Sequence, residues 1–153
     1  MKSLLRNEIV LLVGRLLVGT VFIVASIEKI AIPELFASSI QAYQMLPAPL
    51  INMFAIWLSW VELVAGVLLI AGVAVRASAV VISAMLALFI VGLVAAILRG
   101  LEIDCGCFGG MSQTPVGWQK VLEDIGLLLV SLHLAFHLPA RFTLQPPPPE
   151  DPS

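Results

Sequence analysis

The chain has 153 residues, of which 60% are apolar and only 12% charged, with a formal net charge of −2. Soluble domains carry roughly a quarter charged residues and about half apolar ones. The composition therefore excludes a soluble globular enzyme, a disordered chain and a nucleic-acid binder, which needs a dense basic patch. What remains is an integral membrane protein whose main partner is the lipid bilayer.

Four apolar stretches, Ile9 to Ile32, Leu50 to Val75, Ala77 to Leu98 and Trp118 to Leu138, approach the about 20 residues that a helix needs to cross a hydrocarbon core. They run without period-two alternation, which favours helices over a barrel. The expected fold is all-α: a four-transmembrane-helix antiparallel bundle forming one membrane domain over residues 1–140, followed by a tail. The first stretch is expected to stay as an anchor, because it is long, is split by Arg15 and has no clear small-x-small cleavage site.

The connections differ in character. Between the first two spans, Leu35, Phe36, Ile40 and Tyr43 recur at near-helical spacing. This predicts a short amphipathic helix in the interface, opened by Pro33 and ended by Pro47 and Pro49. Between the second and third spans only Arg76 intervenes, so a tight hairpin is expected. The third connection, Arg99 to Gly117, is rich in glycine and reads as an irregular loop. Residues 141–153 include four consecutive prolines and read as a disordered tail. Lys2, Arg6, Arg76 and Arg141 fall on one side, against Lys29, Arg99 and Lys120 on the other. By the positive-inside rule both termini are cytoplasmic in an inner membrane, and the third connection faces the periplasm or exterior.

Inside lipid, close packing must replace hydrophobic burial as the force between helices. Ala79, Ser83 and Ala87 offer small residues at four-residue spacing in the third span, and Gly14, Gly19 and Gly66 offer close-approach points elsewhere. Trp60, near Glu62, is expected to pack in the core as buried aromatics commonly do, with the wall of a pocket as the alternative.

The two cysteines of the chain stand in Asp104-Cys105-Gly106-Cys107-Phe108-Gly109-Gly110. Buried inert thiols suit a glycine-rich loop poorly. A metal site is not expected, since two thiolates fill half a tetrahedron and His133 and His137 lie about 15 residues or more further on, over ~20 Å along a helix. A redox-active disulfide between Cys105 and Cys107 is the favoured reading. The bond would close almost no loop and so contribute little as a staple, while exposed small-ring disulfides tend to be labile. Gly106 permits the turn, and Phe108 and Gly109 shape the loop. A thioredoxin-like or maturing partner thiolate would attack the bond, and the charge of Asp104 beside Cys105 makes Cys107 the expected thiolate. A structural bridge in a non-catalytic scaffold or assembly subunit remains the alternative.

Ionisable groups at membrane depth need a partner or a purpose. Lys29, Glu62, Glu123 and Asp124 are expected to cluster in the outer half, with Lys29 paired to Glu62 or to the fourth-span carboxylates, as structural glue or as a proton relay. Arg15, His133 and His137 are expected at the inner side as a polar cap.

Arg15, Gly19, Phe22 and Lys29 in the first span, Glu62, Gly66, Leu68-Leu69 and Gly72 in the second, and Arg99-Gly100 leading to Cys105-Gly-Cys-Phe-Gly109 together resemble the methylamine-utilisation E (MauE) branch of the DoxX-like membrane proteins. The likeness covers roughly residues 9 to 138, and Trp118 and Asp124 also fall where the fourth span of that branch carries such residues. The resemblance implies a four-helix protein tied to thiol redox chemistry outside the cytoplasm, as in maturation of the disulfide-rich small subunit of methylamine dehydrogenase. A quinone as electron acceptor is implied by analogy, because superfamily relatives occur in a thiosulfate:quinone oxidoreductase. Four-helix disulfide-generating enzymes such as the DsbB and vitamin K epoxide reductase families use two cysteine pairs. This chain has one, so a relay would need another protein.

Overall fold

A computed structural model of the chain describes residues 7–105 and 115–137. Five helices follow in order: α1 Glu8–Ala31, α2 Pro33–Ala42, α3 Ala48–Ala71, α4 Val75–Leu98 and α5 Trp118–Phe136. The expected tail, the end of the fourth stretch at Leu138 and the centre of the glycine-rich loop lie outside the described residues.

Helices α1, α3 and α4 are each long and apolar enough to cross a membrane, and the protein is a multi-pass membrane protein. Large apolar side chains such as Ile9, Met53, Trp57, Val91 and Leu129 are exposed along their flanks, a surface that suits lipid and not water. Helix α5 is shorter, at 19 residues, and packs on α4 and α1. Lys120, Glu123 and Asp124 in its first two turns separate it from the three longer, more apolar helices.

The buried residues of α1 run Leu11, Arg15, Val18, Phe22, Ala25, Lys29, and those of α3 run Ile51, Ala55, Leu58, Glu62, Ala65, Leu69. Both alternate four- and three-residue steps, the spacing of a coiled-coil seam. The two helices meet most closely at Gly19 and Gly66. A Cβ on Gly66 would lie 3.2 Å from the Gly19 carbonyl oxygen and 3.0 Å from Ile23. Across the bundle, the hydroxyls of Ser83 on α4 and Ser131 on α5 are 2.8 Å apart. Ala79 and Ser83 are buried as their spacing suggests, but Ala87 is exposed, because α4 turns that side to the bilayer.

Proline starts helices here more than it stops them. Pro33 opens α2, but α2 ends at Ala42, and Gln44 takes a positive φ. Pro47 is the N-cap of α3 and Pro49 stands in its first turn, where the missing N–H costs nothing. The expectation that these two prolines end the interfacial helix is corrected accordingly. Arg76 likewise belongs to the first turn of α4, and the hairpin turn is Gly72-Val73-Ala74. Gly72 and Gly100 close α3 and α4 in left-handed conformations. In each case the next residue's N–H reaches back five residues, Val73 to Leu68 at 3.1 Å and Leu101 to Ala96 at 3.0 Å, as in a Schellman cap.

Candidate functional site

After Gly100 the chain leaves the α4 end in an extended run to Cys105. The Val116 N–H donates to the Ile103 carbonyl at 2.9 Å, and Asp104 bridges Pro115, so both ends of the glycine-rich loop are pinned together. Asp104 is exposed, but Cys105 is only 1% exposed and packs with Leu93 and Val121, flanked by Tyr43, Ile90 and Val116. Cys105 is disulfide-bonded. Gly106, Cys107, Phe108 and Gly109 lie outside the described residues.

Tyr43, at the end of α2, ties this point to the bundle. Its hydroxyl donates a 2.8 Å hydrogen bond to the Cys105 carbonyl, and its own carbonyl accepts from Arg99 Nη1 at 3.4 Å. Burial pushes the Tyr43 hydroxyl up to about 12, with the negative charge of Asp124 adding to the effect. Beneath α2, Phe36, Tyr43, Phe54, Leu58, Phe89 and Cys105 line an apolar cavity of about 270 Å³. From sequence, Tyr43 has only a place on an amphipathic face. Its role depends on a contact 62 residues away, for which no local pattern exists.

The intramembrane charges do converge. Lys29 Nζ lies 2.7 and 3.0 Å from the two carboxylate oxygens of Glu62, with both side chains buried. The ammonium also stands over the rings of Phe36 at 4.8 Å and Phe89 at 5.0 Å, favourable cation–π distances. One side chain from each of α1, α2, α3 and α4 thus meets at this joint. In sequence Phe36 marks only an amphipathic face and Phe89 marks nothing, since an aromatic at membrane depth carries no sign of the cation beside it.

Of the three carboxylates that could have paired with Lys29, Glu62 does so. Glu123 pairs instead with Lys120, at 2.7 Å near the surface. Asp124 is buried, and its Oδ2 has no hydrogen-bond partner among the described residues, as is also true of Glu28 Oε2. The Lys29–Glu62 pair, Asp124 and the Lys120–Glu123 pair all line one cavity of about 540 Å³ between α1, α4 and α5. Its other walls include Leu17, Val21, Phe22, Leu86, Leu127 and Val130. Trp60 is not among them. It faces a separate groove with Trp57 and Val64, because position 60 lies on the side of α3 opposite the buried seam. Arg15 is buried in the α1 seam. His133 and His137, one turn apart, stack at 4.5 Å between ring centroids. Among the described residues no cluster of metal-ligating side chains occurs.

Over residues 7–137 the sequence matches the family model described as methylamine utilisation protein MauE. It is 31% identical over 141 residues to the methylamine utilization protein MauE of Paracoccus denitrificans, covering 92% of this chain and 76% of that protein. It is 30% identical to the proteins of the same name from Methylorubrum extorquens, over 75% of this chain and 62% of the relative, and from Methylophilus methylotrophus, over 88% and 72%. The chain thus spans between 62% and 76% of the length of these relatives. No solved structure matches it.

Proposed function

The chain belongs to the MauE family, and from that membership and the setting of Cys105 we propose that it is a membrane thiol–disulfide redox protein serving methylamine utilisation. Cys105 is bonded to Cys107 on the periplasmic side of the inner membrane, with α5 as a fourth crossing and both termini cytoplasmic. The pair oxidises the dithiol of a thioredoxin-like or maturing partner.

The observation that carries this reading is Cys105 itself. It is disulfide-bonded, 1% exposed and fastened through its carbonyl to Tyr43. A sulfur so enclosed is a poor target for an incoming thiolate, so attack falls on Cys107 and Cys105 leaves. The mixed disulfide between Cys107 and the partner is then displaced by the partner's second thiolate. The partner gains a disulfide, and Cys105 and Cys107 keep the two electrons as thiols once protonated.

Restoring the disulfide requires a two-electron acceptor, and the family analogy makes it a lipid-soluble quinone. The cavity beside Lys29 suits such a molecule. Its volume falls in the range of about 300–1,000 Å³ for small-molecule sites, its walls are apolar, and it has one charged end with an unsatisfied Asp124 oxygen. Lys29, a donor, would face the quinone head, and Leu17 and Leu127 the chain.

Thiol trapping in native membranes tests the exchange. With oxidised partner present, the lone Cys107 thiolate of Cys105→Ser is expected to attack the partner's disulfide and give a mixed disulfide, releasing the partner's other thiolate, that Cys107→Ser lacks, with both variants inserted at the wild-type level. If neither replacement yields an adduct or lowers disulfide formation in the partner, the exchange chemistry falls and a scaffold role stands in its place.

A further inference from the structure

The cavity between α1, α4 and α5 has a charge balance that selects what enters it. Two lysines and three carboxylates line it: Lys29, Lys120, Glu62, Glu123 and Asp124. Lys29 is held by Glu62, and Lys120 lies 2.7 Å from Glu123. Asp124 also lines this space, is 7% exposed, and has a carboxylate oxygen with no hydrogen-bond partner among the described residues. An acceptor left unsatisfied in a low-dielectric site carries a desolvation penalty, larger when it is charged. A ligand that donates a hydrogen bond there removes that penalty. One that offers only acceptors adds repulsion.

The rest of the cavity fixes the remainder of the ligand. From the level of Asp124 the wall continues through Leu127 and Val130 on α5 and Phe22, Val21 and Leu17 on α1, all apolar. Leu17 is half exposed on the lipid-facing side, so the space communicates with the bilayer flank. A molecule that fits is polar at one end and apolar along the rest.

We infer that this cavity is a lipid-accessible site for an amphiphile whose head donates a hydrogen bond, as a hydroxyl or a primary ammonium, to Asp124. The site discriminates by the donor: a quinol is preferred over its quinone, and a phosphatidylethanolamine over the corresponding phosphatidylcholine. The inference extends the quinone part of the proposed function, but it rests on Asp124 and the cavity and is independent of the cysteine chemistry.

Both members of each pair differ chiefly in donor capacity, which makes the test direct. Binding of decylubiquinol, decylubiquinone, dioleoylphosphatidylethanolamine and dioleoylphosphatidylcholine to the full-length protein in detergent micelles is measured by native mass spectrometry. The expected result is preferential binding of at least one donor-bearing head by about tenfold, the equivalent of 1.4 kcal/mol. Asp124→Ala is expected to abolish the preference. Gly126→Phe supplies the second variant. Gly126 lines the cavity, and a Cβ there meets nothing within 4 Å, so the substitution brings a bulky side chain into the space from a position with room for its first carbon, and thermal unfolding in detergent checks that the fold is kept. It is expected to lower binding of every probe. Preference confined to the quinol pair identifies a quinol as the source, and preference confined to the phospholipid pair identifies a lipid headgroup. Equal binding within both pairs, or binding unmoved by both Asp124→Ala and Gly126→Phe, overturns the inference. That failure leaves the Cys105 adduct experiment untouched.

Discussion

The hydroxyl of Tyr43 donates a 2.8 Å hydrogen bond to the backbone carbonyl of Cys105, joining the end of α2 to the glycine-rich loop across 62 residues of sequence. This bond fastens the end of the loop to the bundle, while the Val116–Ile103 hydrogen bond pins the two ends of the loop to each other. Tyr43→Phe removes the first while keeping the ring in place. A neutral hydrogen bond is worth about 1 kcal/mol, so reduction of the disulfide by a small dithiol is expected to speed up several-fold. Gel-shift assays with a maleimide reagent measure it, and an unchanged rate would show that the bond does not restrain the loop.

The same residue provides a spectroscopic handle, because it is the single tyrosine of the chain. Its hydroxyl is pushed up to about 12 from the ordinary value of about 10. In that interval the folded protein binds more protons than the unfolded one, so stability is intact below pH ~10 and falls as pH rises toward the folded value. Tyrosinate absorbance in the near-ultraviolet should show a midpoint near 12, and Asp124→Asn should lower it by removing the nearby negative charge. A midpoint at the ordinary value would mean that the phenol is open to water.

The Lys29–Glu62 pair should respond asymmetrically to mutation. Removing one partner of a buried pair leaves the other charge uncompensated, at a cost of about 3–5 kcal/mol. Lys29→Met and Glu62→Leu are each expected to lower the unfolding midpoint in a mild detergent sharply. The double variant is expected to recover most of the loss, since apolar residues suit the surroundings of Phe36 and Phe89. Additive losses in the double variant would refute the coupling.

Glycines that look alike in sequence should separate by experiment. At Gly66 a methyl group would press on Ile23 and on the Gly19 backbone oxygen, so Gly66→Val is expected to part α1 from α3 and destabilise the protein by about 1–3 kcal/mol. At Gly126 the space is open, and Gly126→Ala is expected to raise helix stability by up to about 1 kcal/mol. Thermal unfolding in detergent compares the two, and equal effects would contradict the packing described.

The helices were legible in the sequence to within a few residues because each apolar run declares itself. The long buried seams were not, since α1 and α3 are apolar nearly all round and only the partner helix selects the face that is covered. Pro47 and Pro49 show a similar limit. Proline is refused by a helix interior but accepted in a first turn, so the same residues can be read as closing α2 or opening α3, and the backbone chose the second. Trp60 neither packs in the core nor lines the cavity beside Glu62, and the reason is geometric: it is two positions from Glu62, a separation that places side chains on different faces of a helix.

What the sequence determined by itself is the membrane setting, the helical elements and the position of the two cysteines, because transfer of a segment into lipid is close to a sum over its own residues. What only the tertiary structure decided is which carboxylate takes Lys29, which is left facing the cavity, and that Tyr43 holds Cys105. Those outcomes depend on the depth and rotation of each helix against its neighbours. Contacts such as Gly19 on Gly66 and Ser83 on Ser131 set that register, and they have no expression in any single segment.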